Sequence, residues 1–250
     1  MGGGKRIRAV LVLSVCDMLG GSMQAAQQFA AAVEMLHCYS LIHDDLPCMD
    51  DDDLRRGKPT NHKVYGETLA VLAGDAMQPE AFRLMAEAPC LPAENRLEAV
   101  RTLACACGAD GMVGGQVLDT VYDVRDAAGL TVLNRLKTGV MISAAAELGC
   151  IASEMPATMR AQALVYADAI GRGFQIRDDM LDVEGDQAVF GKPIGSDVQE
   201  GKVTFVDVIG MDACRQEVAA CTETAKAAVA GWPDHGFLWE LADRMVGRRK

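Results

Sequence analysis

The chain has 250 residues, of which half are hydrophobic and only 5% are aromatic, and its formal net charge is −11. This composition predicts a folded domain rather than a disordered chain, and the shortage of aromatic residues favours helices over sheet. The acidic balance, without a long basic run, argues against nucleic-acid binding. The nine cysteines form no CxxC pair, so we expect reduced thiols in a cytoplasmic enzyme, with neither a signal peptide nor a membrane span.

Apolar stretches separated by Gly and Pro predict an all-α fold along the chain. The stretch 24–43 is apolar nearly all round from Phe29 onward, which is typical of a helix inside the protein, and Ser22 is a suitable N-cap for it. No linker rich in Ser, Pro or Gly occurs, so we expect a single domain over 1–250. The predicted helices are 10–18, 24–43, 67–87, 94–110, 112–122, 131–151, 157–185, 203–210, 212–229 and 236–248.

The first aspartate cluster is HDDLPCMDDDDLRRGKPTNH, at residues 43–62. Asp44 and Asp50 would lie about 240° apart on a straight helix, so they can share a ligand only if the backbone bends near Pro47. A solvated acidic loop is the simpler interpretation of such a run. Its attachment to an apolar helix favours a metal site instead, because stacked carboxylates repel each other unless a cation neutralises them.

The second cluster, GRGFQIRDDMLDVEGD at residues 171–186, fits one regular helix. Asp178 and Asp182 share a helix face with Gln175, and like charges at this i,i+4 spacing destabilise a helix. A hard divalent cation would compensate, and Mg²⁺ in particular binds through a few carboxylates together with substrate phosphates. Neither cluster has the alternating acidic positions, the central Gly and the terminal Glu of a calcium-binding EF-hand.

Basic side chains next to glycines or to the acidic clusters are candidates for contact with a diphosphate. Arg can bind it in a bidentate manner, Lys supplies a point charge, and Gly lets a phosphate approach the backbone closely. Each of these residues taken alone is more commonly a solvated surface side chain. The candidates are Lys5, Arg8, Arg55, Arg56, Lys137, Lys192 and Lys202.

These segments occur together in an order that resembles the trans-isoprenyl diphosphate synthases (polyprenyl synthetases), especially the bacterial farnesyl and geranylgeranyl diphosphate synthases. The resemblance implies the isoprenoid synthase fold, a helical bundle around a central active-site cavity, and a homodimer. The matching motifs are GGKRIR (3–8), HCYSLIHDDLPCMDDDDLRRGKPTNH (37–62), LAGDAM (72–77), GGQVLD (114–119), KTG (137–139), FQIRDDMLD (174–182), GKP (191–193) and EGKVTF (200–205).

The resemblance also implies a role for each matching residue. Three Mg²⁺ ions would hold the allylic diphosphate through Asp44, Asp45, Asp50, Asp178, Asp179 and Asp182. The same diphosphate would contact Arg55, Lys137 and Lys192, whereas isopentenyl diphosphate would occupy a metal-free pocket of Lys5, Arg8, His37 and Arg56. Thr138 and Gln175 match positions near the reacting carbons, and Lys202 matches a lysine that closes the site. The residues expected to act in catalysis are Asp44, Asp45, Asp50, Lys137, Thr138, Gln175 and Asp178.

The implied reaction begins with ionisation of dimethylallyl or geranyl diphosphate in a water-poor pocket. The double bond of isopentenyl diphosphate then attacks the carbocation, and a proton is lost. Tyr39 lies about 7.5 Å along the helix axis from Asp44, and in this family an aromatic residue there usually limits the product to the fifteen carbons of farnesyl diphosphate. Leu36 and Ser40 are expected to shape the same floor of the pocket.

Three alternatives remain on the sequence alone. A geranylgeranyl diphosphate synthase differs only in product length. A class I terpene cyclase shares the fold and the metal chemistry but needs no isopentenyl diphosphate site. A non-catalytic subunit of a heteromeric synthase commonly lacks one aspartate motif, and both are present here. Because the family usually has helices before GGKRIR, whereas this sequence starts at Met1, we expect a polyprenyl synthetase domain without those helices.

Overall fold

The computed structural model describes residues 4–122, 124–184 and 203–247. Helices dominate these ranges, which confirms the all-α prediction. The strands β1 (Leu54–Arg55) and β2 (Lys58–Pro59) form a short antiparallel hairpin. A turn of π-helix, the π turn, covers Arg135–Gly139. The α-helices are α1 (Ile7–Met18), α2 (Met23–Asp44), α3 (Asn61–Tyr65), α4 (Glu67–Ala86), α5 (Ala93–Cys107), α6 (Met112–Val121), α7 (Ala127–Asn134), α8 (Val140–Ala152), α9 (Ala157–Glu184), α10 (Phe205–Ile209), α11 (Met211–Val229) and α12 (Gly236–Gly247).

The chain divides into two compact units. Unit 1 contains residues 4–103 and Leu148–Glu154, and unit 2 contains Ala104–Glu147 and 155–247. The expectation of a single domain stays a prediction. Within the described ranges, no helix combines the length and the apolar character that a membrane span requires.

In unit 1, α2 packs against α1 and α4. It begins after Ser22, whose hydroxyl accepts a hydrogen bond from the N–H of Ala25 at 3.3 Å, as the sequence predicted for this N-cap. Phe29, Val33 and Leu36 of α2 are fully buried. This burial accounts for the apolar character of the helix nearly all round, and it holds the C-terminal end of α2, with its aspartates, on a rigid support.

In unit 2, α9 packs along α11, and its apolar face joins a core cluster that includes Ile176, Met180 and Phe205. The π turn lies against α9 where Gly139 and Gly171 meet. A Cβ on Gly171 would lie only 3.2 Å from the Cα of Gly139. The absence of side chains at both positions lets the two backbones approach. The contact lies one helical turn before Gln175, so it fixes the predicted catalytic segment of the π turn onto the second aspartate helix.

Three differences from the predicted elements concern functional segments. The predicted helix 131–151 is interrupted by the π turn, and such turns often occur at functional sites. The predicted helix 203–210 is shorter, because Thr204 and Asp207 form a capping box that starts α10 at Phe205, and Gly210, with φ at 82°, ends it. The hairpin and α3, in and just after the first aspartate cluster, had no counterpart among the predicted elements.

Candidate active site

The first aspartate cluster begins where α2 ends. Asp44 is the last residue of this helix, and the chain then turns back so that the N–H of Asp50 donates to the carbonyl oxygen of Asp44 at 2.9 Å. A second hydrogen bond, from the N–H of Met49 to the carbonyl oxygen of Leu46 at 2.8 Å, tightens this turn around Pro47. The predicted bend near Pro47 is therefore confirmed. Asp44 and Asp50, which would lie about 240° apart on a straight helix, are instead joined by a hydrogen bond across a closed loop.

Asp45 and Arg55 bind each other. The Nε of Arg55 donates to Oδ1 of Asp45 at 2.6 Å, and Nη2 lies 2.5 Å from the same oxygen, while Asp45 is only 3% exposed. Burial opposes the charge of the guanidinium, but the hydrogen bond and the negative charge of Asp45 outweigh it and raise the pKa of Arg55. The sequence assigned Asp45 to metal and Arg55 to diphosphate; those roles stay predictions, and the structure adds that the buried carboxylate pairs with the half-buried guanidinium.

Arg56 occupies the tip of the hairpin. Arg56 and Gly57 have φ values of 54° and 72°, which is the two-residue turn with both φ positive that suits the twist of a hairpin. Asn or Gly usually fills the first of these positions, and Arg is strained there. The guanidinium lies against the start of the chain, since a Cβ on Gly4 would be 2.4 Å from its Nη1.

His37 lies among arginines of unit 1. Burial, followed by the charges of Arg8, Arg56, Arg6 and Arg55, lowers the pKa of His37 from 6.5 to about 3, so its imidazole is neutral near pH 7. Burial also lowers the pKa of Arg8, whose Nε is enclosed without a hydrogen-bond partner. An enclosed, unpaired donor on a guanidinium is costly, and an anionic ligand would satisfy it.

The structure therefore brings together three of the four residues predicted to bind isopentenyl diphosphate. The fourth, Lys5, is exposed just before α1. The sequence assigned no role to Arg6, although it belongs to the same GGKRIR motif that indicated Lys5 and Arg8. The Nη1 of Arg6 donates to Oε2 of Glu34 on α2 at 2.9 Å, and this pair connects the start of α1 to the helix that carries His37.

The residues predicted to set product length lie on the buried side of α2. Tyr39 is 6% exposed and Leu36 is fully buried, while the hydroxyl of Ser40 donates to the carbonyl oxygen of His37 at 3.0 Å. The ring of Tyr39 meets the imidazole of His43 edge to face, with centroids 5.7 Å apart and an interplanar angle of 81°. The position of Tyr39 is thus defined by contacts within its own helix as well as by burial.

In unit 2, the second aspartate cluster lies on a continuous helix, as predicted. α9 runs through Glu184, so Asp178 and Asp182 occupy one face, and Asp182 is buried. Asp179 behaves differently: its Oδ1 accepts from the amide of Gln175 at 3.2 Å and its Oδ2 from the N–H of Phe205 at 2.8 Å. The metal role of Asp179 stays a prediction; both of its oxygens already accept hydrogen bonds, and the bond from Phe205 holds the start of α10.

Lys137 and Thr138 lie in the π turn, where both are half-buried. Lys137 forms an ion pair with Asp119 of α6. α6 can approach the π turn closely because Gly115 has no side chain: a Cβ there would lie only 2.2 Å from the backbone nitrogen of Lys137. The sequence assigned no role to Asp119 or to Gln116, whose amide nitrogen is enclosed without a partner, although the GGQVLD motif contains both.

Two predicted residues, Lys192 and Lys202, lie outside the described residues. Unit 2 contains a groove of about 700 Å³, and this groove does not coincide with the predicted site. Arg135, Asp168, Arg172 and Glu217 line it together with apolar side chains, and it contains none of the residues predicted from the sequence.

The donor set fits Mg²⁺, which prefers hard carboxylate oxygens. In unit 2 the buried Asp182 lies on the same face of α9 as Asp178, so this helix offers two carboxylates on one side. Elsewhere in the described residues, ligand atoms of Asp51, Asp53 and His62 lie within 4.8 Å of one another. In that group Asp53 already pairs with Lys63 at 2.6 Å. None of these three residues was predicted from the sequence as a metal ligand.

Comparison with known proteins decides the family. The model of the polyprenyl synthetase family matches residues 1–230. The chain belongs to this family. It is 41% identical over 251 residues to a farnesyl diphosphate synthase of Bacillus subtilis, covering 98% of this chain and 85% of that protein. It is 42% identical over 239 residues to geranylgeranyl pyrophosphate synthase 3 of Arabidopsis thaliana, covering 93% and 66%.

Among solved structures, an FPP/GFPP synthase from Zymomonas mobilis superposes with a TM-score of 0.87 at 37% identity, covering 98% of this chain and 84% of that one. The polyprenyl synthetase thus has the isoprenoid synthase fold, and the predicted family, fold and trans-prenyltransferase class are confirmed.

Proposed function

We propose that this polyprenyl synthetase condenses isopentenyl diphosphate with dimethylallyl or geranyl diphosphate and releases farnesyl diphosphate. The observation that carries the proposal is the cluster around His37, in which Arg8 retains an enclosed, unpaired Nε. The cluster concentrates positive charge around His37, and although Arg6 pairs with Glu34 and Arg55 with Asp45, the open donor of Arg8 suits a second diphosphate. A terpene cyclase, which binds one diphosphate, needs no such pocket.

The aspartates are proposed to bind magnesium. Asp44, Asp45, Asp50, Asp178 and Asp182 would hold it, Asp179 could contribute through the lone pairs that its two hydrogen bonds leave open, and three ions are expected per site. When bound, Mg²⁺ stabilises the negative charge that develops on the departing diphosphate. Lys137, already close to Asp119, and Arg55, already close to Asp45, would place their cations beside the same anion.

The remaining steps depend on residues of the pocket. Neutral His37 can donate one hydrogen bond to isopentenyl diphosphate, and Arg8 and Arg56 supply the positive charge. Thr138 and Gln175 would orient the reacting carbons, and the buried apolar side of α2 would keep water away from the carbocation. Proton loss after the new carbon–carbon bond forms then yields the elongated product, with the released diphosphate as the acceptor.

The fifteen-carbon product is proposed because Tyr39 is large, buried and held by His43. The similarity extends to proteins named for farnesyl and for geranylgeranyl products, so product length is tested directly. Tyr39→Ala removes the ring and is expected to shift the products toward twenty carbons, whereas an unchanged fifteen-carbon product would exclude Tyr39 as the floor.

The decisive experiment incubates the purified full chain with radiolabelled isopentenyl diphosphate and each allylic primer in turn. Elongated, label-containing product is expected with Mg²⁺ and not with EDTA. The Arg8→Gln variant should raise the KM for isopentenyl diphosphate more than that for the primer. A cyclised hydrocarbon from the primer alone would favour the cyclase, and no product with any primer would favour a non-catalytic subunit.

A homodimer in the cytoplasm completes the proposal. Apolar side chains are exposed on α4, at Leu69 and Leu72, and on α6, at Val117 and Val121, and such side chains are commonly covered by a partner subunit. All nine cysteines are free thiols, as expected in a reducing compartment. Light scattering after gel filtration would test the dimer, since Leu72→Glu and Val117→Glu should each weaken it.

A further inference from the structure

Gly74, in the interior of α4, lies directly beneath the imidazole of His43. A Cβ at this position would lie 2.1 Å from Nε2, 2.6 Å from Cδ2 and 2.9 Å from Cε1 of that ring. Alanine is the better helix former, and glycine in a helix interior destabilises it. The ring of His43 therefore gives a local physical reason for glycine here, because it occupies the space that any side chain on Gly74 would need.

The imidazole of His43 also contacts Val71 on α4 and Tyr39 on α2. Its Nε2 lies 3.1 Å from the carbonyl oxygen of Val71 on α4. Since a carbonyl oxygen can only accept, Nε2 carries the proton and donates it. On α2, the ring meets Tyr39 edge to face at 5.7 Å. His43 thus connects a glycine and a carbonyl of α4 to the side chain that forms the proposed floor of the product pocket.

We propose that Gly74 and His43 are specificity-determining residues, which fix the orientation of Tyr39 and so limit product length. The inference rests on the proposed synthase activity. A side chain at Gly74 displaces the imidazole, the displaced imidazole no longer makes its edge-to-face contact with Tyr39, and the phenol ring shifts away from the growing chain. Gly74 and His43 act through Tyr39 and are positioning residues, with no contact to substrate required.

The test measures the ratio of twenty-carbon to fifteen-carbon product, which is independent of total activity. Gly74→Ala and His43→Ala should each raise this ratio about two- to tenfold, the range set by the energy of one edge-to-face ring contact. Gly231→Ala is the matched control, because its Cβ would meet nothing within 4 Å, and its ratio should equal that of the unmodified protein.

The double variant distinguishes this positioning role from a general effect on packing. If Gly74 acts through His43, then adding Gly74→Ala to His43→Ala changes the ratio no further. A purely structural role would instead lower the melting temperature of Gly74→Ala and leave its product ratio unchanged.

Three results would overturn the inference. The first is an unchanged ratio in Gly74→Ala while Tyr39→Ala raises it, and the second is full additivity in the double variant. The third is an unchanged ratio in His43→Ala, which needs no extra space and decides the matter if Gly74→Ala does not fold. Failure of the synthase proposal looks different, because the unmodified protein would then form no elongated product at all.

Discussion

The N–H of Asp50 donates to the carbonyl oxygen of Asp44, and this hydrogen bond of 2.9 Å closes the first aspartate cluster into a loop. The loop turns back at the end of a buried helix, so its backbone is fixed on one side by α2 and on the other by the hairpin. A metal-binding cluster assembled in this way depends on the turn at Pro47 as much as on its carboxylates.

The loop offers a matched pair of single-charge changes. Asp50→Asn should reduce kcat/KM and raise the Mg²⁺ concentration needed for half-maximal activity by about 10–100-fold, as expected when a metal site is disturbed. Asp51→Asn removes the same charge from the next residue, and Asn tolerates the φ of 51° found there. We expect near-normal Mg²⁺ dependence for Asp51→Asn; equal losses in the two variants would contradict the assignment of Asp50.

Asp179→Ala should lower stability rather than only activity. It leaves the buried N–H of Phe205 without its acceptor, which costs about 1–3 kcal/mol in the free energy of unfolding. Alanine has the higher helix propensity, so a change in propensity alone would act in the opposite direction. Urea unfolding followed by circular dichroism measures this, with Asp178→Asn as the comparison; unchanged stability in Asp179→Ala would show that the hydrogen bond from Phe205 to Asp179 is dispensable.

The half-buried His37 predicts a loss of stability in acid. Its pKa is about 3 in the folded protein and near 6.5 when unfolded, so between these values the unfolded chain binds more protons. The free energy of unfolding should therefore fall as pH drops below 6.5, by at most about 1.4 kcal/mol per pH unit from this group. His37→Gln should remove this part of the slope and His235→Gln should not; identical slopes in all three proteins would rule out His37 as the source.

Replacement of Arg56 should increase stability and weaken substrate binding. Arg56→Asn relieves the strain of a positive φ and should increase the free energy of unfolding by about 0.5–1 kcal/mol, while removing a cation should raise the KM for isopentenyl diphosphate. Lys58→Asn, on the paired strand and outside the turn, is the control and should give no gain. A decrease in stability on Arg56→Asn would mean that the contact of Arg56 with the start of the chain outweighs the strain.

The helices and the second aspartate cluster were predictable because their signals are local. The capping hydroxyl of Ser22, the apolar run that follows it and the i,i+4 spacing of Asp178 and Asp182 each depend on a few neighbouring residues. The motif order identified the family for the same reason, since each motif is short and specific.

The partners of the charged residues were not predictable from local sequence. Asp45 meets Arg55 because the chain folds back after Pro47, and Lys137 meets Asp119 because Gly115 lets two helices approach. The surroundings of His37 likewise depend on arginines from two separate segments of the chain. Such pairings follow from tertiary packing, which periodicity and spacing do not encode.

The π turn has a practical consequence for anyone who plans substitutions in this enzyme. Each of its hydrogen bonds encloses one more residue than an α-helical bond does. The directions of the side chains in α8 are therefore offset from those that a continuous α-helix from α7 would give. A single helical wheel drawn over 131–151 would assign side chains to wrong directions on one side of Lys137. Libraries aimed at the residues around Thr138 should therefore be designed on two wheels with different phases.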